Sequence, residues 1–370
     1  MQNLKILQVS KFALSEPGGI EQVCNEFHNI FEDNFSCTSL VFLSKKKRNN
    51  LHDNEVGFTS SFKILGQPFS FGYFNYLVKE SKNYDILYIH YPNPVALFLC
   101  ILTKRKFQKI ILHWHSDIIK NPFINFLAQR FERFCLKYVS TIIATSKIYS
   151  EHSKSLRYFL DKVEIVPIGT EEKLLEAKKK FLHNGRLKLI FIGRLVKYKG
   201  LKFLLNTLKN FKNIELKIVG NGPLLGWILN HIKKFQLTDR IIILTNVSED
   251  EKYELLRNSD FLILPSISRA EAFGVVLLES MSVCTPLITS NVKGSGMNFV
   301  NNQETSEKCG FTFENQNSND LKELLSRIHK LSNEEYHFLS KNALLRHKNL
   351  FSRQEIKRKI TDIIKNDKHS

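Results

Sequence analysis

The sequence predicts an α/β protein built from two doubly wound, Rossmann-like domains. Three observations carry this. The chain has 370 residues, too many for one core and suited to two domains of roughly 150–200 residues. Short apolar runs rich in β-branched residues alternate with amphipathic stretches of helical length from end to end. The alternation restarts midway, after a stretch of turn-forming and charged residues at 168–186.

In the first half the strand candidates are 4–9, 39–43, 86–90, 109–114, 141–144 and 163–166. They show little period-2 alternation, as expected of strands buried on both faces of a parallel sheet. Between them lie helical segments such as 20–33 and 121–138. The second half repeats the theme, with strands at 188–192, 216–219, 241–244, 261–264 and 287–289 and helices at 201–211, 224–235 and 249–257. Gly169, the charged segment 171–180 and the turn dipeptide Asn184-Gly185 mark the boundary. The tail, 320–365, reads as two or three amphipathic helices. The expected domains are therefore 1–168 and 169–350, with 351–370 a terminal helix free to pack back on the first domain. Folds of this layout hold ligands at the carboxyl ends of their strands.

Composition narrows the function classes. An apolar fraction of 43% with 11% aromatics is ample for buried cores, which excludes global disorder. The net charge of +18 is spread over both halves and suits anionic partners such as nucleotides, phospholipid surfaces or nucleic acid. The one dense basic run, 45–48, reads as a solvated loop. Six cysteines without a C-x-x-C pair, mostly in apolar surroundings, read as reduced core residues. Lys5 and Lys11 flank the first strand candidate, which argues against a signal peptide. The longest apolar runs, such as 95–102, fall short of the ~20 residues of a spanning helix. The expectation is a cytosolic protein that could lie on the inner face of the plasma membrane.

The richest segment is 266–281, SISRAEAFGVVLLESM. It holds Glu271 and Glu279 eight positions apart, after a strand that ends in Leu264-Pro265. Phe273, Gly274 and Val275 stand where a loop enters a helix, and unpaired amides there can bind phosphate or sugar oxygens. Glu271 is expected in the loop with a free carboxylate, and Glu279 on the helix. Spacing alone would equally fit two solvated glutamates bracketing an ordinary helix. There is no D-x-D pair, no zinc-type spacing of histidines and cysteines, and no G-x-S-x-G or Walker A motif.

Other pieces stand at strand ends in a definite order: Gly18-Gly19-Ile20-Glu21, His113-Trp114-His115-Ser116-Asp117, Gly193-Arg194-Leu195 with Lys199-Gly200, Gly220-Asn221-Gly222-Pro223, and Gly294-Ser295-Gly296. Together with the two glutamates, this ordered set resembles family 4 of the retaining glycosyltransferases over residues 1–315. Tyr91-Pro92-Asn93-Pro94, the stretch 115–118 and the stretch 294–301 look like the subgroup that builds bacterial O-antigen and capsular polysaccharide. The resemblance implies the GT-B fold, in which two Rossmann-like domains face a central cleft.

The resemblance also implies roles. Arg194 and Lys199 would be the phosphate-binding pair, two cations that can neutralise charge on a leaving diphosphate. Gly18 and Gly19 would let the backbone approach the donor, while Glu21 reads either as part of that loop or as the start of the following helix. His115 would contact the donor sugar. His113, alternating with it, is expected on the opposite sheet face, and Asp117 either accepts a bond from His115 or caps the next helix. Gly220, Asn221, Gly222 and Val247 would flank the base, and Glu279 would take ribose hydroxyls. No cofactor and no metal are expected; the donor would be a UDP- or GDP-sugar. The acceptor would be a polyprenyl-diphosphate-linked saccharide, held near an anionic membrane by the aromatic stretch Phe69, Phe71, Tyr73, Phe74, Tyr76 and by the basic, aromatic helix 121–138. The family pattern is broken at 304–309, which reads as an insertion before Gly310. Two alternatives stay open: a nucleotide-sugar epimerase of the same fold, and a basic nucleic-acid or membrane binding protein, with nucleic acid the less expected partner.

Overall fold

The computed structural model describes residues 4–16, 18–43, 51–52, 54–64, 67–118, 122–171, 181, 185–302 and 305–366. The basic run 45–48, most of the 168–186 boundary, Lys120, Asn121 and Glu304 lie outside the described residues. The chain divides into two compact units, Met1–Ile168 with Ile356–Ser370, and Gly169–Glu355.

The first unit is built on a wholly parallel sheet. Its strands are β1 (Lys5–Val9), β2 (Ser36–Leu43) and β3 (Glu55–Thr59), followed, after a separate antiparallel hairpin of β4 (Phe62–Ile64) and β5 (Gln67–Phe69), by β6 (Ile86–Tyr91), β7 (Lys109–Trp114), β8 (Thr141–Ala144) and β9 (Val163–Ile165). The spatial order is β3-β2-β1-β6-β7-β8-β9. β6 and β8 are buried at every position, which is why they read as unbroken apolar runs. β3 and the hairpin went unread: β3 is a short edge strand, half-buried along most of its length.

Helices α1 (Gly19–Glu32), α2 (Phe71–Glu80), α3 (Pro94–Thr103), α4 (Pro122–Leu136) and α5 (Lys147–His152) connect these strands. α1 buries Val23, Cys24, Phe27, Ile30 and Phe31, a helical stripe of the kind that packs on a sheet. α3 starts at a Pro behind an Asn93 side-chain cap that accepts from the Ala96 amide.

The second unit carries another parallel sheet: β10 (Leu187–Ile192), β11 (Ile214–Val219), β12 (Ile241–Leu244), β13 (Phe261–Leu264), β14 (Leu287–Asn291) and β15 (Gly310–Glu314). Its order is β12-β11-β10-β13-β14-β15. That is the doubly wound arrangement, and strand order reverses between β10 and β13. The helices are α6 (Leu201–Leu208), α7 (Leu225–Lys234), α8 (Glu249–Arg257), α9 (Val275–Ser282), α10 (Met297–Asn301), α11 (Ser318–Ile328) and α12 (Asn333–Arg346); α13 (Arg353–Lys365) follows. α8 and α12 begin with complete capping boxes, Ser248 with Glu251 and Ser332 with Glu335. α9 buries Val276 through Ser282; each leucine so buried contributes about 1.5–3 kcal/mol. Among the described residues, no helix is long and apolar enough to cross a membrane.

Candidate functional site

Crevices in doubly wound sheets open where strand order reverses, beyond the carboxyl ends of the strands. In the second unit that point lies between the ends of β10 and β13. Gly193 and Arg194 follow β10, and the loop 265–274 follows β13. The predicted residues Arg194, Lys199 and Glu271 therefore collect at one sheet edge.

Local chemistry explains the loop shapes. After β10 a single helical turn, Lys197–Lys199, ends in the left-handed Gly200 at φ 75°. A Cβ on Gly200 would stand 1.8 Å from the Pro265 carbonyl oxygen, so only glycine lets this turn press against the loop after β13. The Tyr198 carbonyl accepts from the Ile267 amide at 2.8 Å. Gly220 does the same work on the other side. A Cβ there would stand 2.1 Å from the Gly193 carbonyl oxygen. The Leu195 amide donates to the Asn221 carbonyl at 2.9 Å. Gly220, Asn221 and Gly222 thus belong to a turn fastened to the Arg194 loop.

Lys199 Nζ lies 2.5 Å from Glu271 Oε2, with side chains 11% and 9% exposed. Ser266 Oγ donates to the same oxygen at 3.1 Å. Glu271 is therefore not the free loop carboxylate expected from the sequence; one of its oxygens is committed. The reason is burial: a desolvated carboxylate needs a cation and hydrogen bonds. Burial works against the charge on Lys199, but Glu271 outweighs it, helped by Tyr198 and Glu279, and the Lys199 pKa rises above the ordinary lysine value. The Glu271 backbone is held as well, its carbonyl accepting from Ser295 Oγ at 2.6 Å. The Gly296 amide donates to the Ala272 carbonyl at 2.7 Å. This gives the 294–296 turn a bracing role.

Glu279 sits on α9, 4% exposed, and Lys252 of α8 donates to its Oε1 at 2.9 Å. Glu279 lies on the helix, as expected, and the structure adds a cationic partner for its carboxylate. Lys252 carries no site signal in the sequence. It stands in the helix pattern 249–257 among acids, and nothing in linear spacing says which way it turns. Arg194, by contrast, is exposed and has no ion pair among the described residues. Gly274 is the left-handed N-cap of α9, at φ 82°, and Val275 is half-buried beside it. Phe273 is 2% exposed and packs on Phe299 and Phe351, with ring centroids 6.4 and 6.0 Å away. Its side chain is core. Val247 lies half-buried just past β12.

In the first unit Gly18 and Gly19 are exposed at the start of α1. A Cβ on Gly18 would stand 2.0 Å from Glu21 Oε2, whereas one on Gly19 would meet nothing within 4 Å. The Glu21 carboxylate folds over the glycine turn, and burial raises its pKa.

His115 is 5% exposed, and its Nε2 lies 2.8 Å from Nδ1 of His90. The two share a hydrogen bond, and His115 Nδ1, His90 Nε2 and His113 Nε2 are buried without a hydrogen-bond partner among the described residues. His113 does not face away from His115: their ring centroids are 4.2 Å apart. Residues two apart on a strand share a face, so the alternation argues the opposite of what was expected of it. Nor does Asp117 serve His115. Its Oδ1 accepts from Trp114 Nε1 at 3.0 Å and from Ser153 Oγ at 2.8 Å. Burial lowers the His115 pKa to about 3 and puts His90 and His113 well below the usual histidine range, with neighbouring histidines adding to it.

Cys24 Sγ and one donor atom each of His90 and His115 lie within 4.8 Å of one another, a convergence from three elements that linear spacing does not show. The trio is one donor short of a closed tetrahedral set. Burial also pushes the Cys24 thiol up toward its protonated, non-ligating form. All six cysteines are buried and free.

The comparisons with known proteins agree with this geometry. Residues 173–346 match the model of Glycosyl transferases group 1, and residues 18–173 match that of Glycosyltransferase Family 4. The chain belongs to the glycosyltransferases. The O-antigen chain mannosyltransferase C of Escherichia coli is 27% identical to this glycosyltransferase, over 82% of this chain and 83% of that one. The D-rhamnosyltransferase WbpZ of Pseudomonas aeruginosa is 28% identical, over 65% and 63% respectively. Among solved structures, Anabaena Alr3699/HepE in complex with UDP and glucose superposes with a TM-score of 0.75 at 16% identity, covering 98% of this chain and 99% of that one. The fold is GT-B.

Proposed function

We propose that this glycosyltransferase is retaining and metal-independent. It would move a hexose (mannose, glucose, galactose or an N-acetylhexosamine) from a UDP- or GDP-sugar to a lipid-linked saccharide during assembly of bacterial surface polysaccharide. The observation that carries the reading is the buried Lys199–Glu271 pair at the reversal of the second sheet. Lys199 and the exposed Arg194 supply positive charge for a diphosphate, supplemented by the N-terminus of α9. Glu271 commits Oε2 to Lys199 and Ser266, which leaves Oε1 for a sugar hydroxyl. A neutral His115 is suited to hydrogen bonding rather than to charge. The names of the relatives, O-antigen mannosyltransferase and rhamnosyltransferase, support surface polysaccharide as the product, and the UDP and glucose bound by the Anabaena protein support a nucleotide-sugar donor.

The acceptor side rests on α3 and α4. Phe98 and Leu102 of α3 and Phe123, Phe126, Leu127 and Phe134 of α4 are exposed. The one acid of α4, Glu132, is turned inward to accept from Tyr91 and Ser155. Exposed aromatics beside Arg130, Arg133 and Lys137, with no acid among them, suit an anionic membrane surface.

The test is transfer from UDP- and GDP-hexoses to a polyprenyl-diphosphate-linked saccharide in the presence of EDTA, with the product linkage read by NMR. Turnover in EDTA with the donor's anomeric configuration kept is expected. Inverted product, loss of turnover in EDTA, or undiminished activity in Glu271→Gln would each overturn part of the reading. Flotation with anionic liposomes should require low salt; no binding there removes the membrane partner.

A further inference from the structure

Lys252 is an unusual residue for its helix. The other charged side chains of its first two turns, Glu249, Asp250, Glu251 and Glu254, are exposed. Lysine on a surface helix ordinarily extends its charge into water. Lys252 instead turns inward, its side chain 11% exposed, with Nζ 2.9 Å from Glu279 Oε1 and 2.7 Å from Glu249 Oε2. α8 packs on α9, so the ammonium bridges an outer acid to a buried one. A buried ion pair by itself is weak evidence for a stabilising role, because desolvation offsets much of the attraction. What sets this pair apart is its neighbour. Lys252–Glu279 and Lys199–Glu271 are separate ion pairs, and Glu279 adds only slightly, as the least of the causes, to the raised pKa of Lys199. Uncompensated, Glu279 would repel the diphosphate that Lys199 and Arg194 are to hold.

We propose that Lys252 is a positioning residue for donor recognition. It fixes the Glu279 carboxylate toward the ribose hydroxyls of the donor nucleotide and cancels the charge that would oppose the diphosphate. This rests on the nucleotide-sugar donor proposed above and on the ribose role that the family resemblance implies for Glu279. The arrangement makes recognition depend on a residue that touches no substrate. Losing it should weaken donor binding and ribose discrimination together, and leave the chemical step nearly alone.

The experiment compares KM and kcat for the UDP- or GDP-sugar that the wild-type chain turns over, and for its 2′-deoxy and 3′-deoxy counterparts. The variants are Glu279→Gln, Lys252→Met and Lys252→Arg. A site that hydrogen-bonds a hydroxyl discriminates against its absence by about tenfold or more. Glu279→Gln should reduce that preference to near unity. Lys252→Met should lose most of it and raise KM about tenfold, with kcat within about threefold. Lys252→Arg should restore most of both. Retention of the full preference by Lys252→Met, while Glu279→Gln loses it, would show that Lys252 only packs, and the proposal would fail alone. Retention of the preference by Glu279→Gln would instead remove Glu279 from the ribose, and the underlying donor reading would fail with it. Lys252→Gln, which keeps a hydrogen-bond donor in a similar volume, takes the place of Lys252→Met should that variant not fold.

Discussion

The two units bury polar groups at the carboxyl ends of their sheets in opposite ways. The second unit keeps charge: Glu271 with Lys199 and Glu279 with Lys252, each ion-paired and largely out of water. The first unit gives charge up: His90, His113 and His115 are all held neutral by burial, and each keeps a ring nitrogen without a partner among the described residues. The difference follows from what each residue type can do. A carboxylate cannot shed its charge near neutral pH without a large shift, so burial forces it to recruit a cation. An imidazole sheds its charge cheaply, and two imidazoles can share one proton, as His90 and His115 do. One cluster is suited to holding an anion with matched charges, the other to offering directional hydrogen bonds.

The comparison breaks most severely at Lys199. Lys199→Ala leaves Glu271 buried without its cation, which costs about 3–5 kcal/mol in comparable pairs. Transfer activity should be lost and the melting temperature of the second unit should fall. Lys199→Ala with Glu271→Ala should recover much of the stability and none of the activity, since no unpaired charge remains. If the single variant melts like the wild type, the pair is solvated and the charged character assigned to this cluster is wrong.

A pH titration separates the two clusters without mutation. The folded pKa of His115 is depressed to about 3, against about 6.5 in an unfolded chain. Above pH 6.5 neither state is charged and the group is neutral to stability. As pH falls toward 3 the unfolded chain takes up a proton that the folded one refuses, so stability is lost. By pH 5 His115 alone accounts for about 2 kcal/mol, and His90 and His113 act in the same direction. Lys199 has the opposite sign. Its folded pKa is raised, so its contribution is complete below the unfolded lysine value of about 10.4 and is lost as pH climbs through the folded value. Acid should therefore loosen the histidine cluster of the first unit, and His347 of the second, whose pKa burial lowers to about 4, while alkali should loosen the Lys199–Glu271 pair. Hydrogen exchange at pH 5 and at pH 10.5 would show it, and a first unit fully protected at pH 5 would contradict the neutral histidine cluster.

Much of this was legible beforehand, and the exceptions have causes. Most strands of both sheets read directly because parallel strands buried on both faces are unbroken apolar runs; β15, at the edge of the second sheet, is absent from the strand candidates. β3 escaped because an edge strand half in water carries no such run. The positions of Gly200, Glu271 and Glu279 at loop and helix starts were readable from turn residues and strand ends. Their partners were not. Lys199 pairs with Glu271 across the reversal of the sheet, and Lys252 reaches Glu279 from a separate helix; neither contact has a signature in spacing. The histidine cluster was half-read. His113 and His115 share a face by simple period-2 counting, but His90 joins them because β6 and β7 pair in register, His90 opposite His113.

The mildest break concerns orientation without charge. Ser266 donates to Glu271 Oε2, the oxygen already taken by Lys199. Ser266→Ala removes that bond and leaves the ion pair, so the carboxylate keeps its neutralising cation and gains freedom to rotate. A hydrogen bond to a charged group contributes about 1.5–3 kcal/mol, of which the lysine can recover part. The expected result is a fall in kcat/KM of about tenfold, with a melting temperature close to wild type and much less change than in Lys199→Ala. An equal loss of stability in the two variants would mean that the serine carries as much of the burial of Glu271 as the lysine does. The second cluster would then be held by hydrogen bonds, like the first, and the contrast between them would collapse.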